Sequence, residues 1–184
     1  ILLWVQDELS FDRFHDNADH LYRVEQDQVY SGRKYHVNVT PWVCGPAWEE
    51  EIPEVVSSIR MGWCGGQPYS YGDKTFIEGG VQAVDPAFFT VFNFPLRFGD
   101  PDVVMDDPYS VVLNSETAEK YFGSDDPLGK VLTVDNQYQL TVTGILEKIP
   151  RNSSIQPEVL VSIEFAKVLE RYNDGWGNNS IRTY

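Results

Sequence analysis

Residues 110–155 constrain the fold most, because strand and helix signals follow one another there with few residues between them. Residues 110–113 form an apolar run rich in valine, which predicts a strand. Asn114 or Ser115 can cap a helix by accepting a hydrogen bond from a free backbone N–H. Apolar residues then recur at helical spacing, and Gly123 can end the helix because glycine readily adopts left-handed backbone conformations. The first half of the stretch therefore predicts a strand followed by a helix.

The second half of the stretch predicts a hairpin. Residues 131–134 and 138–147 both favour strands, and the longer one alternates between its two faces. Asp135-Asn136 between them is typical of a tight two-residue turn. Pro150 ends the ladder, since proline has no N–H to donate. Strands and helices mixed in this way predict an α+β fold.

The remaining residues continue this mixture. Strands are predicted at 22–30, 34–40, 55–63, 75–83, 158–163 and 181–184, with helices at 1–9, 46–52, 86–92 and 165–172. The first three strands and the helix at 46–52 make a β-α-β unit. Gly79-Gly80 is expected to bulge the strand at 75–83, and Asp85 is expected to cap the next helix. The aromatic stripe of that helix, which includes Phe88 and Phe92, is expected in the core.

Composition excludes some classes of function. The net charge is −14 and the pI is near 4.4, whereas a nucleic-acid binder needs a basic face. The chain contains no motif for a nucleophile elbow, a phosphate loop or a zinc site. His15 and His20, five residues apart, would point to different sides of a helix, which favours capping and packing roles. No catalytic, cofactor-binding or metal-binding residue is predicted, and the chain is not expected to be an enzyme.

Three features leave alternatives open. Cys44 and Cys64 could pair in an oxidising compartment or stay as buried thiols in a reducing one. The loop at 63–71, rich in glycine and aromatic residues, could be a peptide- or carbohydrate-binding surface, with Tyr69 as its test residue, or simply a loop leading into a hairpin. Likewise, the apolar start at residues 1–5 suits either the end of a membrane span or an amphipathic helix.

Three blocks of sequence carry a resemblance to a known family. The first is ELSFDRFH with NADHLYRV (8–24), the second is VQAVDPAFFTVFNFPLRFGDP (81–101), and the third joins VVLNSETAEKYFG, DDPLGK and TVTGILEKIPRNSSI (111–155). Their content and order resemble the extracytoplasmic core domain of MacB/FtsX-type ABC transporter permeases. The resemblance covers nearly the whole chain, and it favours the membrane-span interpretation of the first residues.

The resemblance implies an organisation into subdomains. Residues 1–9 would be the end of a truncated membrane-span helix. Residues 10–63 and 151–184 would form a membrane-proximal, porter-like subdomain of β-α-β-like units, with the second half incomplete. Residues 64–150 would be an inserted β-rich, sabre-like subdomain that carries short helices. Gly123, Gly129 and Gly144 match family positions that are interpreted as backbone requirements at turns and caps.

The resemblance also implies a function. The domain would lie on the periplasmic side of the inner membrane and move a substrate or partner there, driven by ATP hydrolysis on a cytosolic ABC ATPase. A permease dimer and a periplasmic partner protein are expected, and a cofactor is not. A periplasmic location would also allow the Cys44–Cys64 disulfide. The alternative is a secreted or periplasmic module that binds peptides or carbohydrates.

Overall fold

A mixed eleven-stranded sheet forms the centre of the computed structural model, which describes residues 2–172 and 174–184. The helices are α1 (Leu2–Ser10), α2 (Cys44–Glu51), α3 (Phe88–Phe92), α4 (Ser115–Phe122) and α5 (Ile163–Val168), with one 3₁₀ turn at Ala18–His20. The first seven strands are β1 (Gln26–Tyr30), β2 (Arg33–Val37), β3 (Thr40–Pro41), β4 (Arg60–Trp63), β5 (Pro68–Tyr71), β6 (Lys74–Ile77) and β7 (Val81–Val84). The others are β8 (Leu96–Phe98), β9 (Ser110–Asn114), β10 (Val131–Val134), β11 (Tyr138–Leu146), β12 (Val159–Ser162) and β13 (Asn179–Thr183).

The strand order of the sheet is β3-β13-β4-β7-β12-β9-β11-β10-β5-β6, and β8 pairs with the end of β11. The β7–β12 and β9–β11 pairs are parallel, and the other pairs are antiparallel. The hairpin β1-β2 forms a separate two-stranded sheet. The α+β class is therefore confirmed. The division into subdomains stays a prediction, and strands from all three of its segments pair within this one sheet.

Residues 110–155 adopt the strands, the helix and the hairpin turn that their sequence predicts. Asn114 caps α4, with its Oδ1 accepting a hydrogen bond from the Thr117 N–H at 2.8 Å. Gly123 follows α4 with φ of +64° and ψ of −125°, a conformation that β-branched side chains resist. Asp135 and Asn136 both have positive φ, 53° and 54°, as a type I′ turn between β10 and β11 requires.

The expected strand at residues 75–83 is wrong, because the chain breaks there into two strands with different neighbours. β6 is an edge strand paired with β5, whereas β7 lies in the interior of the sheet between β4 and β12. Gly79 and Gly80 form the connection rather than a bulge. A Cβ atom on Gly80 would meet the exposed side chain of Glu158, which would have to move aside.

Strand alternation divides the core between the two faces of the sheet. On β9, Val111 and Leu113 belong to one hydrophobic cluster, which includes Tyr121 and Phe122 of α4 and Phe165 of α5. Val112 belongs to the other cluster. That second cluster contains the aromatic residues of α3 and one phenylalanine that follows the helix. They are Phe88, Phe89, Phe92 and Phe94, and all are at most 3% exposed. Side chains at successive positions point to opposite faces, so one strand supports both cores.

Candidate functional site

The segment that follows α1 is fastened to two distant parts of the chain. We call this region the junction and define it as residues 10–17 together with residues 91–94 and 152–154. Asp12 adopts a left-handed conformation with φ of 57°, which turns the chain at the end of α1. Aspartate is among the few residues other than glycine that tolerate this conformation. The turn directs the following residues onto α3.

One side of the junction consists of hydrogen bonds that Ser10 and Asp12 form with the loop after β11. The Asn152 side-chain amide donates to the Ser10 carbonyl at 2.9 Å and to the Ser10 Oγ at 3.0 Å. The Asp12 N–H donates to the Asn152 carbonyl at 2.9 Å, and Asp12 Oδ1 accepts from the Ser154 N–H at 2.8 Å. Four hydrogen bonds therefore hold the end of α1 against residues 152–154.

The other side of the junction is His15, which is only 4% exposed. Its Nδ1 is bonded to the Phe92 carbonyl, and because a carbonyl can only accept, this nitrogen carries the proton. The ring lies between Phe14, Phe92 and Phe94, with centroid distances of 4.0, 5.4 and 5.1 Å. Burial lowers the pKa of His15, against the opposing effects of the Phe92 hydrogen bond and the Asp12 and Asp16 carboxylates.

Two further contacts hold the same segment to the end of α3. The Asn17 side-chain amide donates to the Val91 carbonyl at 3.2 Å, and the Asp16 N–H donates to Asn93 Oδ1 at 3.2 Å. Asn93 ends α3 in a left-handed conformation, with φ of 51°. The segment therefore bonds to groups that the last turn of a helix leaves without intrahelical partners.

The junction leads directly into the sheet. The Phe92 ring meets the Tyr184 ring edge to face, with centroids 5.1 Å apart. Tyr184 exchanges two backbone hydrogen bonds with Ile59, at 2.9 and 3.0 Å, beside β4 and β13. The Val24 N–H also donates to the Thr183 carbonyl at 2.9 Å. A continuous set of packed and hydrogen-bonded groups thus runs from α1 to the sheet.

The two cysteines are buried free thiols in the structure, which does not contain the disulfide considered above. Burial raises the pKa of Cys44, and it raises that of Cys64 to about 11. Both thiols are therefore disfavoured as thiolates, the reactive form in disulfide exchange.

The three glycines have different physical roles. Gly123 and Gly129 have positive φ, 64° and 74°, the first at the C-cap of α4 and the second in the turn before β10. Gly144 has no such conformation and lies inside β11, so the expectation of a turn or cap is wrong there. A Cβ at Gly144 would approach Val104 Cγ2 to 2.6 Å, and the close packing of Val104 against this strand excludes a side chain.

In the loop at residues 63–71, the structure places Tyr69 away from any surface that could bind a ligand. Tyr69 is fully buried, because it lies on β5 and packs in the core rather than facing solvent. Trp63 is 57% exposed, but its indole N–H is bonded to the Gly79 carbonyl at 2.8 Å. Tyr69, the residue chosen to test this hypothesis, therefore cannot stack on a ligand.

Sequence reasoning missed both the pairings that build the junction and a buried ion pair outside it. Asp85, expected as a helix cap, instead forms a buried ion pair with Arg60, with an Nη2–Oδ1 distance of 2.6 Å. Asp12 and Asn152 both lie in stretches that carry the family resemblance, but nothing in the sequence indicates that they contact each other. Within residues 2–172 and 174–184, no group of three or more histidine, cysteine and acidic residues could hold a metal ion.

The class of protein follows from comparison of the whole chain with known families. The model of the MacB-like periplasmic core domain matches residues 1–183. The chain therefore belongs to this family, the extracytoplasmic domains of ABC transporter permeases. No curated protein gives a significant sequence match.

Three solved structures share the fold. A domain of a protein assigned as a permease in Porphyromonas gingivalis is 27% identical, with a TM-score of 0.68 over 82% of this chain and 64% of that one. The periplasmic region of MacB from Actinobacillus actinomycetemcomitans is 18% identical, with a TM-score of 0.60 over 86% and 71%. The extracellular domain of the ABC-type transporter YknZ from Gram-positive bacteria is 15% identical, with a TM-score of 0.57 over 79% and 71%.

Two facts bear on the whole transporter. The chain spans 64% of the length of the Porphyromonas domain, less than two thirds. In the part of the chain that the structure describes, none of the helices combines the length and apolar character needed to cross a bilayer.

Proposed function

We propose that this domain transmits movement from the membrane to a substrate or partner in the periplasm, and that it performs no catalysis itself. A membrane helix continuing into α1 would deliver the movement, which originates in ATP binding and hydrolysis on a cytosolic ABC ATPase. The permease would act as a dimer and engage a periplasmic partner protein. The full protein would reside in the inner membrane, with this domain on the periplasmic side.

The observation that carries this proposal is the double attachment at the junction. A helix can move a domain only if the contacts that attach its end to the domain withstand the force applied through the helix. Here the end of α1 is bonded to residues 152–154, while His15 and Asn17 are bonded to α3. The α3 aromatics then pack in the core with Val112 of β9 and Leu160 of β12. Movement of α1 would therefore reach the central strands.

The exposed apolar residues of α1 add to this support. Leu2 is 79% exposed, Trp4 66% and Leu9 70%, although α1 is attached to the domain at its C-terminal end. Tryptophan is enriched where membrane helices enter water. These side chains suit a helix that leaves a membrane, whereas a helix packed on the domain would bury an apolar stripe.

The proposal can be tested in the full-length permease, purified with its ATPase in lipid nanodiscs, by electron-resonance distance measurements. One pair of spin labels, at Glu8 and Lys148 within a protomer, reports whether α1 and the domain move together. A single label at Arg33 in each protomer reports movement between the two domains. We expect ATP with vanadate to change the second distance and to leave the first unchanged.

The variant Asn152→Ala removes the two side-chain bonds to Ser10. We expect it to broaden the distance between Glu8 and Lys148 and to abolish the ATP-dependent change between the Arg33 labels, while ATP hydrolysis continues. Lys148→Ala, at an exposed position of the same loop, is the matched control with the label moved to Glu147. An unchanged response between the domains of Asn152→Ala would show that the junction does not transmit the movement.

A further inference from the structure

We propose that the free edge of β8 is a docking site for an extended basic peptide segment of a partner protein, which would add to the sheet as a further strand. This surface meets the junction only at Asn93 and Phe94, and it does not depend on the proposed function. Leu96–Phe98 pair with the end of β11 on one side only. Within the described residues, no strand lies on the other side, so the edge can accept one.

Two grooves flank this edge. The first, of about 520 Å³, lies between β8, α4 and the turn that follows α4, and its walls include Phe98, Ala118 and Ile145. The second, of about 460 Å³, lies between β8 and the end of α3, and its walls include Phe94 and Pro95. Side chains of an added strand alternate between two faces, and each face would meet one groove. Phe98 is 43% exposed and offers an apolar contact.

The charge on the groove walls selects the occupant. Glu119, Asp125 and Asp126 line the first groove, and Asp102 lines the second. Against these four carboxylates stands one cationic wall residue, Arg97, whose guanidinium lies over the Phe98 ring at 5.3 Å. Lys130 neutralises only Asp125, at 3.0 Å. Lysine or arginine side chains alternating with apolar ones would match both the charge and the apolar floor.

The edge formed by β6, at one end of the strand order, lacks this combination. Lys74 of β6 folds away to donate to the carbonyls of Lys120 and Tyr121 at the end of α4, at 3.1 and 2.7 Å. Glu78, which follows β6, is buried and bonded to Lys120 and Tyr121. The charged groups at that edge are thus already paired within the chain.

The test uses a dye-labelled ten-residue peptide of alternating lysine and valine, its glutamate–valine twin, and a lysine–valine peptide with alternate backbone amides N-methylated. Binding is measured by fluorescence anisotropy, and the site is mapped by amide chemical shifts in ¹⁵N-labelled protein. We expect the basic peptide to bind about tenfold more tightly than the acidic one and to shift residues 96–99 and 119–126. N-methylation should abolish binding, because it removes the N–H groups that pair with a strand edge.

The variant Glu119→Gln/Asp126→Asn removes two charges with little change in shape. Its matched control is Glu50→Gln/Glu51→Gln on α2, which changes the net charge equally at exposed positions outside both grooves. We expect the groove variant to weaken binding about tenfold and the control about twofold or less. Equal losses in the two variants, binding that survives N-methylation, or shifts centred on residues 74–77 would each overturn the proposal.

Discussion

The junction and the β1-β2 hairpin both lie outside the main sheet, but they are held in opposite ways. Junction hydrogen bonds join residues that are 74 to 142 positions apart, and His15 is buried within them. The hairpin is closed by local pairs, from Gln26 opposite Val37 to Tyr30 opposite Arg33. Its side chains are largely exposed, Val29 by 74% and Tyr30 by 75%. The junction therefore depends on contacts between distant parts of the chain, whereas the strand pairing of the hairpin is local.

Each region contains one histidine, and the two imidazoles favour different protonation states. His36 Nδ1 lies 3.0 Å from Asp27 Oδ1, and its Nε2 lies 2.7 Å from Glu25 Oε2. Carboxylates only accept hydrogen bonds, so both ring nitrogens must donate, which requires the imidazolium. The bonds to Asp27 and Glu25 therefore raise the pKa of His36, whereas burial lowers that of His15. The surroundings, rather than the residue type, decide the charge.

The largest expected effect is Phe92→Ala. Phe92 is 3% exposed and contacts His15, Phe88 and Tyr184, so its removal leaves a cavity between the junction and the sheet. We expect a loss of about 3–4 kcal/mol in the free energy of unfolding, measured by urea denaturation. The matched aromatic change in the hairpin, Tyr30→Ala, should cost about 0.5 kcal/mol or less. Similar losses in both variants would remove the contrast between the two regions.

A smaller effect is expected for Asn152→Ala in this isolated domain. The change removes two hydrogen bonds to Ser10 and should lower the free energy of unfolding by about 1–2 kcal/mol. It should also speed hydrogen exchange of the Asp12 amide, which donates to the Asn152 carbonyl. Hairpin amides should exchange at unchanged rates. A uniform acceleration across both regions would instead indicate global destabilisation.

The two histidines should give opposite pH dependences. His15 has a pKa below the ordinary value of 6.5, so its contribution to stability is present above pH 6.5 and is lost as the pH falls through the lowered pKa. His36 has a pKa above 6.5, so its contribution is present below pH 6.5 and is lost as the pH rises through the raised pKa. An NMR titration of the imidazole protons measures both. A His15 pKa at or above that of His36 would contradict this assignment.

The smallest expected effect is the response to salt. The hairpin ion pairs, Glu25–His36 and Asp27–Lys34, are exposed, and about 1 M salt shortens the screening length to roughly 3 Å. The pKa of His36 should therefore move back towards 6.5, while that of His15, set mainly by burial, should hardly change. Repeating the NMR titration in high salt checks this. Equal movement of both pKa values would mean that charge, rather than burial, controls His15.

Much of the fold could be predicted because its signals are local. The cap at Asn114, the turn at Asp135-Asn136 and the alternation along β11 each involve residues close in sequence. The break between β6 and β7 could not be predicted in this way. It depends on which distant strands each segment joins, since β6 pairs with β5 whereas β7 pairs with β4 and β12. The helix predicted at residues 165–172 is found instead at Ile163–Val168, and Glu170 adopts a left-handed conformation just beyond its C-cap at Leu169.

By itself, the sequence determined the α+β class, most of the elements and, through its three blocks, the resemblance to the family that the comparison then established. Helix caps, turns and apolar periodicity act over a few residues, so they can be read in order along the chain. Only the tertiary structure decided that Asp12 meets Ser154, that His15 is buried against Phe92, and that Tyr69 faces the core. These contacts join residues separated by long stretches of chain, and hydrophobic burial, which drives them together, is non-directional and leaves no local signal of which partner will be met.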